Sequence, residues 1–251
     1  MITARPLVEP LTPRLPRPTA MQLAATEYER VVGLLRSLGP EHWSASTECP
    51  GWDVRAMAAH MLGMVEMAAS VRDQMRQVRI ARRRGGLFID ELTALQVEER
   101  EGMTPVQIVE QYATRAPKAV AGRRRTPGFI RRRPMPVTQR VNGRDEEWSI
   151  GFLLDTILTR DPWMHRIDIV RATGATHVLT SEHDGVIVAD VVEEWAARHG
   201  QPCVLHLTGP AGGSWTVVGG GPAIELDAVE FCRAITGRAA GDGLLRTEVP
   251  F

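Results

Sequence analysis

Lysine is nearly missing from this chain of 251 residues: of 30 basic residues, Lys118 is the single lysine and the other 29 are arginines. A ratio that skewed reflects a GC-rich coding sequence rather than a chemical demand for guanidinium. Net charge is missing too. The 30 Lys and Arg are balanced by 30 Asp and Glu, which argues against a dedicated nucleic-acid binder or a membrane-surface protein. No apolar run approaches the roughly 20 residues that a bilayer span needs. Cysteine is scarce: Cys49, Cys203 and Cys232 are odd in number and scattered, so no disulfide framework is implied. Prolines at 6, 10, 13, 16 and 18 interrupt the N-terminus where a signal peptide would need an apolar stretch. A cytoplasmic protein is expected.

What is there has the proportions of a soluble globular protein, 43% hydrophobic and 24% charged with a mean hydropathy of −0.15. At 27.7 kDa the chain has room for two small domains. The neutral total hides two basic stretches: residues 72–84 hold six Arg against one Asp, and residues 115–144 hold nine Arg and Lys118 with no acid. Arg72, Arg76, Arg79 and Arg83 recur at helical spacing and read as a solvated face. The arginine triplets at 123–125 and 131–133 lack the stacking aromatics of a nucleic-acid surface. Nucleic acid is therefore not an expected partner, and an anion-binding loop is the alternative that the triplets leave.

Periodicity divides the chain into three. Residues 1–18 form a proline-rich arm. Residues 19–176 read as a helical bundle, with helices over 19–38, from Asp53 to about 82, in part of 87–100, over 105–121 behind Thr104-Pro105, and over about 148–172 ending at Gly174. Residues 122–147 read as loop. Residues 177–251 change character: a helix over 181–198, short β-rich runs at 202–207, 214–218 and 223–226, and a last helix over about 227–237. The glycine-rich stretch 209–222 lacks the Lys-Ser/Thr of a phosphate loop and reads as hairpin turns. The expected fold class is mainly α plus a small α+β part: an N-terminal four-helix bundle followed by a small α/β C-terminal domain.

The residues that point to chemistry are His60, Asp161 and His165. His60 lies three residues after Met57 and four before Met64, on the inward edge of the second helix. Asp161 and His165 are four apart on one face of the late helix, which also carries Ile157, Leu158 and Ile169. Ionisable groups in an apolar core are costly unless paired or bound to metal. Two imidazoles and a carboxylate suit a divalent metal with open coordination positions, assembled from facing helices. The same spacing also describes an Asp–His hydrogen bond or a salt bridge to Arg160 or Arg166, with Asp168 as an acceptor that orients His165. Trp52 and Trp163 read as bundle packing. Cys49 precedes a proline, has no neighbouring His or basic residue, and reads as structural.

Two stretches resemble a known family. Trp43, then Cys49-Pro50-Gly51-Trp52-Asp53-Val54-Arg55, then Ala59-His60-Met61-Leu62, is similar to a signature of the mycothiol-dependent maleylpyruvate isomerase family, part of the DinB-like superfamily of four-helix bundles. Arg160-Asp161-Pro162-Trp163-Met164-His165-Arg166-Ile167-Asp168, with Ala172-Thr173-Gly174, resembles its second signature. Residues 183–251, including Thr236-Gly237-Arg238, resemble its small sterol-carrier-protein-like domain. The resemblance covers about 20–251. It implies a divalent metal, zinc first and nickel, iron or manganese otherwise, on His60, Asp161 and His165. It implies mycothiol, a low-molecular-weight thiol of actinobacteria, as cosubstrate. The implied activity is an isomerase or S-transferase acting on a small, electrophilic, anionic substrate: a thiol at an open metal position loses its proton, and the thiolate adds to an electrophilic carbon. Arg238, and after it Arg233, match the residue that would clamp a substrate carboxylate. There are two departures from the family pattern. The isomerases typically carry Glu, one methylene longer, where Asp161 stands, and Pro162 follows directly and removes a helix donor. A non-haem iron oxygenase-type site, and a ligand-binding or regulatory bundle with a degenerate site, are the competing readings.

Overall fold

The computed structural model of the chain describes residues 10–251; of the arm expected over 1–18, residues 1–9 lie outside the described residues. The chain divides into two compact units. One comprises Pro16–Arg133 and Ile150–His177, the other the described part of Met1–Leu15 together with Pro134–Ser149 and Val178–Phe251.

The first unit is helical: α1 (Arg17–Ser37), α2 (Val54–Ala69), α3 (Val71–Arg84), α4 (Phe88–Glu98), α5 (Pro105–Arg125), α6 (Gly128–Arg131), α7 (Ile150–Phe152) and α8 (Leu158–Thr173), with a π-helical turn, Leu153–Ile157, joining α7 to α8. Helices α1, α2, α5 and α8 enclose one core, built from Tyr28, Val31 and Leu35, Met57, Met61 and Leu62, Ile108 and Ala119, and Ile169. Each fully buried Leu, Ile or Met there contributes about 1.5–3 kcal/mol by leaving water. Helices α3 and α4 pack on each other and on α2. The starts of α2 and α5 are set locally. Asp53 accepts from the Ala56 amide at 2.7 Å, and Thr104 and Gln107 form a capping box ahead of Pro105.

Two stretches differ from the sequence reading. The helix expected from Asp53 to about 82 is broken at Ser70, which is extended (φ −145°, ψ 118°) and whose hydroxyl accepts from the Asp73 amide at 3.3 Å to start α3. The break lets α3 fold back onto α4. The expected loop over 122–147 contains the end of α5, the turn α6 and a hairpin of β1 (Gln139–Val141) and β2 (Arg144–Glu146). Asn142 and Gly143 join these strands with φ of 54° and 72°, the positive values that a two-residue hairpin turn requires and Asn-Gly supplies.

The hairpin belongs to the second unit, with α9 (Val186–His199), β3 (Cys203–Thr208), β4 (Gly213–Val217), β5 (Ala223–Asp227) and α10 (Ala228–Ile235). The sheet order is β4-β3-β5, with β4 antiparallel and β5 parallel to the central strand. Cys203, Leu205 and Leu207 alternate inward on β3 while His206 and Thr208 face solvent. Trp195 of α9 meets Phe231 of α10 edge to face, with ring centroids 5.3 Å apart. After β4, Val218 has φ 49°. Left-handed backbone costs a non-glycine residue about 1–2 kcal/mol, and most for a β-branched one. Glycine returns part of that gain through its looser unfolded chain. Val218→Gly should therefore raise stability by about 0.5–1 kcal/mol, read as a higher thermal midpoint; an unchanged or lower midpoint would show that the turn is unstrained.

Candidate metal centre

His60, Asp161 and His165 all belong to the helical unit, and the structure brings them together. Asp161 Oδ1 lies 3.4 Å from His60 Nε2 and 3.5 Å from His165 Nε2. The two imidazoles stand perpendicular, 5.3 Å between centroids. Both histidines are buried, and the Asp161 side chain keeps 15% exposure.

Each imidazole has its other nitrogen engaged. His60 Nδ1 lies 2.8 Å from Gln96 Oε1, an acceptor, so His60 donates from Nδ1. Gln96 is fixed in turn by donating to Gln77 Oε1 at 3.0 Å and to the sulfurs of Met64 and Met67 at 3.2 and 3.3 Å. It fits because residue 63 is glycine: a Cβ there would stand 2.5 Å from Gln96 Cγ. His165 Nδ1 donates to Asp168 Oδ2 at 3.0 Å, and the Cys49 thiol approaches the same oxygen at 3.7 Å. With both Nδ1 atoms used as donors, each imidazole in its neutral form has its Nε2 lone pair left for the space beside Asp161.

Trp52 covers the pair, 5.0 Å from the His60 ring and 6.1 Å from that of His165. It is placed by the Cys49-Pro50-Gly51-Trp52 turn, in which the Trp52 amide donates to the Cys49 carbonyl at 3.1 Å and Gly51 takes φ 79°. On the core side Asp161, Pro162, Tyr28 and Tyr112 line a void of about 10 Å³. Burial pushes the Tyr112 phenol well above its ordinary range, so it is neutral at physiological pH.

The electrostatics keep Asp161 ionised. Burial opposes ionisation of Asp161, but the charges of His165 and then His60 outweigh it and hold the carboxyl well below its usual value. Burial likewise opposes charging of His165, and Asp161 outweighs it, so without metal this imidazole holds its proton to well above its ordinary pKa.

The donor set fits a divalent ion. A tetrahedral ion with bonds of about 2.0–2.2 Å puts neighbouring ligand atoms roughly 3.3–3.6 Å apart. The two His–Asp separations, 3.4 and 3.5 Å, fall in that range. They are too long for good charged hydrogen bonds, which run about 2.7–2.9 Å. The Arg166 guanidinium, one partner that the salt-bridge alternative offered, grips Glu27 at 2.7 and 3.1 Å.

Sequence reasoning did not single out Gln96, Gln77 or Gly63. The available signal was a glutamine, Gln96, on the same face of α4 as Leu92 and next to Leu95. Nor did it read Arg123 as anything but surface charge, yet Arg123 is wholly buried. Arg233 and Arg238 lie in the second unit. Arg233 is tied to Glu230 through its guanidinium, and its carbonyl accepts from the Arg238 amide at 2.9 Å.

The bundle and its inward two-histidine, one-carboxylate set define a class, that of helical bundles with a candidate metal-ligand cluster between facing helices. The family model described as the mycothiol maleylpyruvate isomerase N-terminal domain matches residues 24–170, more than half of the chain, and the chain belongs to that family. Two solved structures share its fold. A crystal structure of the mycothiol-dependent maleylpyruvate isomerase is 16% identical, with a TM-score of 0.58 over 93% of this chain and 94% of that one. A point mutant of the same enzyme is 14% identical, with a TM-score of 0.58 over 92% and 93%. At such identities the likeness is one of fold. No curated protein sequence matches the chain. Among the described residues, no helix is long and apolar enough to cross a membrane.

Proposed function

We propose that this chain is a metal-dependent enzyme that uses mycothiol, or a thiol like it, to isomerise a small, electrophilic, anionic substrate or to transfer sulfur to it. The observation that carries this reading is the convergence of His60 Nε2, Asp161 Oδ1 and His165 Nε2 within 4.8 Å of one another, with both His–Asp separations at the length of a tetrahedral edge and both Nδ1 atoms held as donors. A divalent metal bound there would supply the positive charge that turns a thiol into thiolate at neutral pH.

The chain's own residues do the rest. Gln96 and Asp168 fix the tautomers of His60 and His165. Asp161 contributes the one negative charge of the set and leaves the centre cationic enough to attract a thiolate. Trp52 shields the imidazoles from water. The thiolate adds to a carbon–carbon double bond conjugated to a carbonyl, forming a C–S bond as the π pair moves onto the oxygen. Rotation about the resulting single bond and expulsion of the thiolate gives the isomer; protonation with the sulfur retained gives S-transfer. For the substrate carboxylate, Arg238 and after it Arg233 are candidates on the family resemblance alone.

Protein purified without chelator should carry close to one equivalent of metal by elemental analysis, zinc in first place, and His60→Ala should lose most of it. Less than about a tenth of an equivalent in the wild type, unchanged in His60→Ala, would sink the metal reading. Oxygen consumption with Fe(II) and none with zinc would move the site to the oxygenase class.

A further inference from the structure

Helix α8 is irregular at the point where it must deliver Asp161. The π-helical turn sends the Leu158 amide to the Leu153 carbonyl, so the Leu154 carbonyl loses its α-helical donor. Four residues on, Pro162 has no N–H to give to the Leu158 carbonyl. Two main-chain acceptors are thus opened in a buried stretch, where an unpaired polar group is costly. One side chain closes both. Arg123 of α5 donates from Nε to the Leu154 carbonyl at 2.6 Å and from one terminal nitrogen to the Leu158 carbonyl at 3.0 Å. Its other terminal nitrogen donates to Thr159 Oγ1 at 2.7 Å. The Tyr28 hydroxyl accepts from Arg123 at 3.0 Å and donates to the Leu158 carbonyl at 3.3 Å. The guanidinium also lies over the Tyr28 ring, 5.8 Å from its centroid.

We infer that Arg123 is the positioning residue of the metal centre: it caps the carbonyls that the π-turn and Pro162 leave open, and so fixes the backbone that carries Asp161 to within reach of both imidazoles. This rests on reading His60, Asp161 and His165 as metal ligands. It accounts for how the shorter Asp161 stands 3.4 and 3.5 Å from the two Nε2 atoms, because the helix that bears it is held out of regular α geometry. Only the planar, five-donor fork of arginine reaches all four acceptors; a lysine ammonium keeps the charge and loses the fork.

The test uses the whole chain stripped of metal and reloaded with Co(II) or Zn(II) alone. Arg123→Lys should weaken Zn(II) binding about tenfold or more in chelator competition, and should shift the Co(II) ligand-field bands that report coordination geometry. Leu35→Ala, a core truncation in α1, should lower the thermal midpoint and leave both readouts unchanged, which separates positioning from general stability. Should Arg123→Lys fail to fold, Thr159→Val removes one arm of the network and carries the same expectation at smaller amplitude. Wild-type affinity and bands in a folded Arg123→Lys overturn the inference alone. A wild type that takes up neither metal overturns the metal reading, and this inference with it.

Discussion

Asparagine in place of Asp161 is expected to abolish metal retention. The substitution keeps the shape of the side chain and removes its charge. Losing a group behind a metal ligand costs about 10–100-fold in affinity, so losing a ligand should exceed the upper end, more than a hundredfold in zinc dissociation constant by chelator competition. A smaller loss would mean that Asp161 is not coordinated. The metal-free proteins give a second readout. Asp161 is depressed in the folded state, so its stabilisation is present above its unfolded pKa, about 4, and is lost as pH falls through the lower folded value. His165 is raised, so its stabilisation is complete below about pH 6.5 and is lost as pH rises through the folded value. Metal-free wild type should therefore gain stability over Asp161→Asn most clearly between about pH 4 and 6.5 in denaturant titrations. With metal the sign reverses on the alkaline side: ligation needs the unprotonated imidazole, so zinc affinity should climb as pH rises through the His165 transition.

The largest stability loss is expected at Arg166. It forms a two-point ion pair with Glu27 across α8 and α1, with both groups almost fully buried. Removing one partner takes the two-point pairing away from a buried charge, at about 3–5 kcal/mol. Against the 5–15 kcal/mol typical of a domain, Arg166→Met should bring the protein close to unfolding at ordinary temperature. Replacing both partners together, Glu27→Met with Arg166→Met, should recover much of that loss, because two apolar groups of similar size do not need the pairing. A denaturant midpoint for Arg166→Met within about 1 kcal/mol of wild type would show that the pair is not sealed from water.

Much of this was legible in the sequence, for a definite reason. Helical spacing alone puts Asp161 and His165 on one face and His60 on the inward edge of its own helix, so the candidate donors can be listed before any packing is known. The partners that orient them divide. Asp168 is local, three residues from His165, and was visible as an alternative. Gln96 belongs to another helix, and only the packing of α4 onto bare Gly63 brings it to His60. Arg123 was hidden by its type: arginines are seldom buried, and a triplet of them reads as surface. What draws it inward is the pair of open carbonyls, and half of that cause, the π-turn, has no sequence mark. The break at Ser70 sits in a run of small residues where periodicity has nothing to interrupt. The Asn142-Gly143 turn carries a strong local signal, but its strands are three residues each and hold Arg140 and Arg144, too short and polar for the alternation that identifies a strand.

Gln96 has one more consequence. The proton on His60 sits on Nδ1 because a residue of α4, a helix that contributes no ligand, accepts it there. Helix α4 is fastened in turn by surface ion pairs to α3, Arg84 to Glu98 at 2.7 Å and Arg76 to Glu99. Salt loosens such pairs, while the buried Gln77–Gln96 link does not feel it directly. The proton position on His60 is thus set from a helix that offers none of the three candidate ligands, and the outermost layer of that arrangement is open to the ionic strength of the solution.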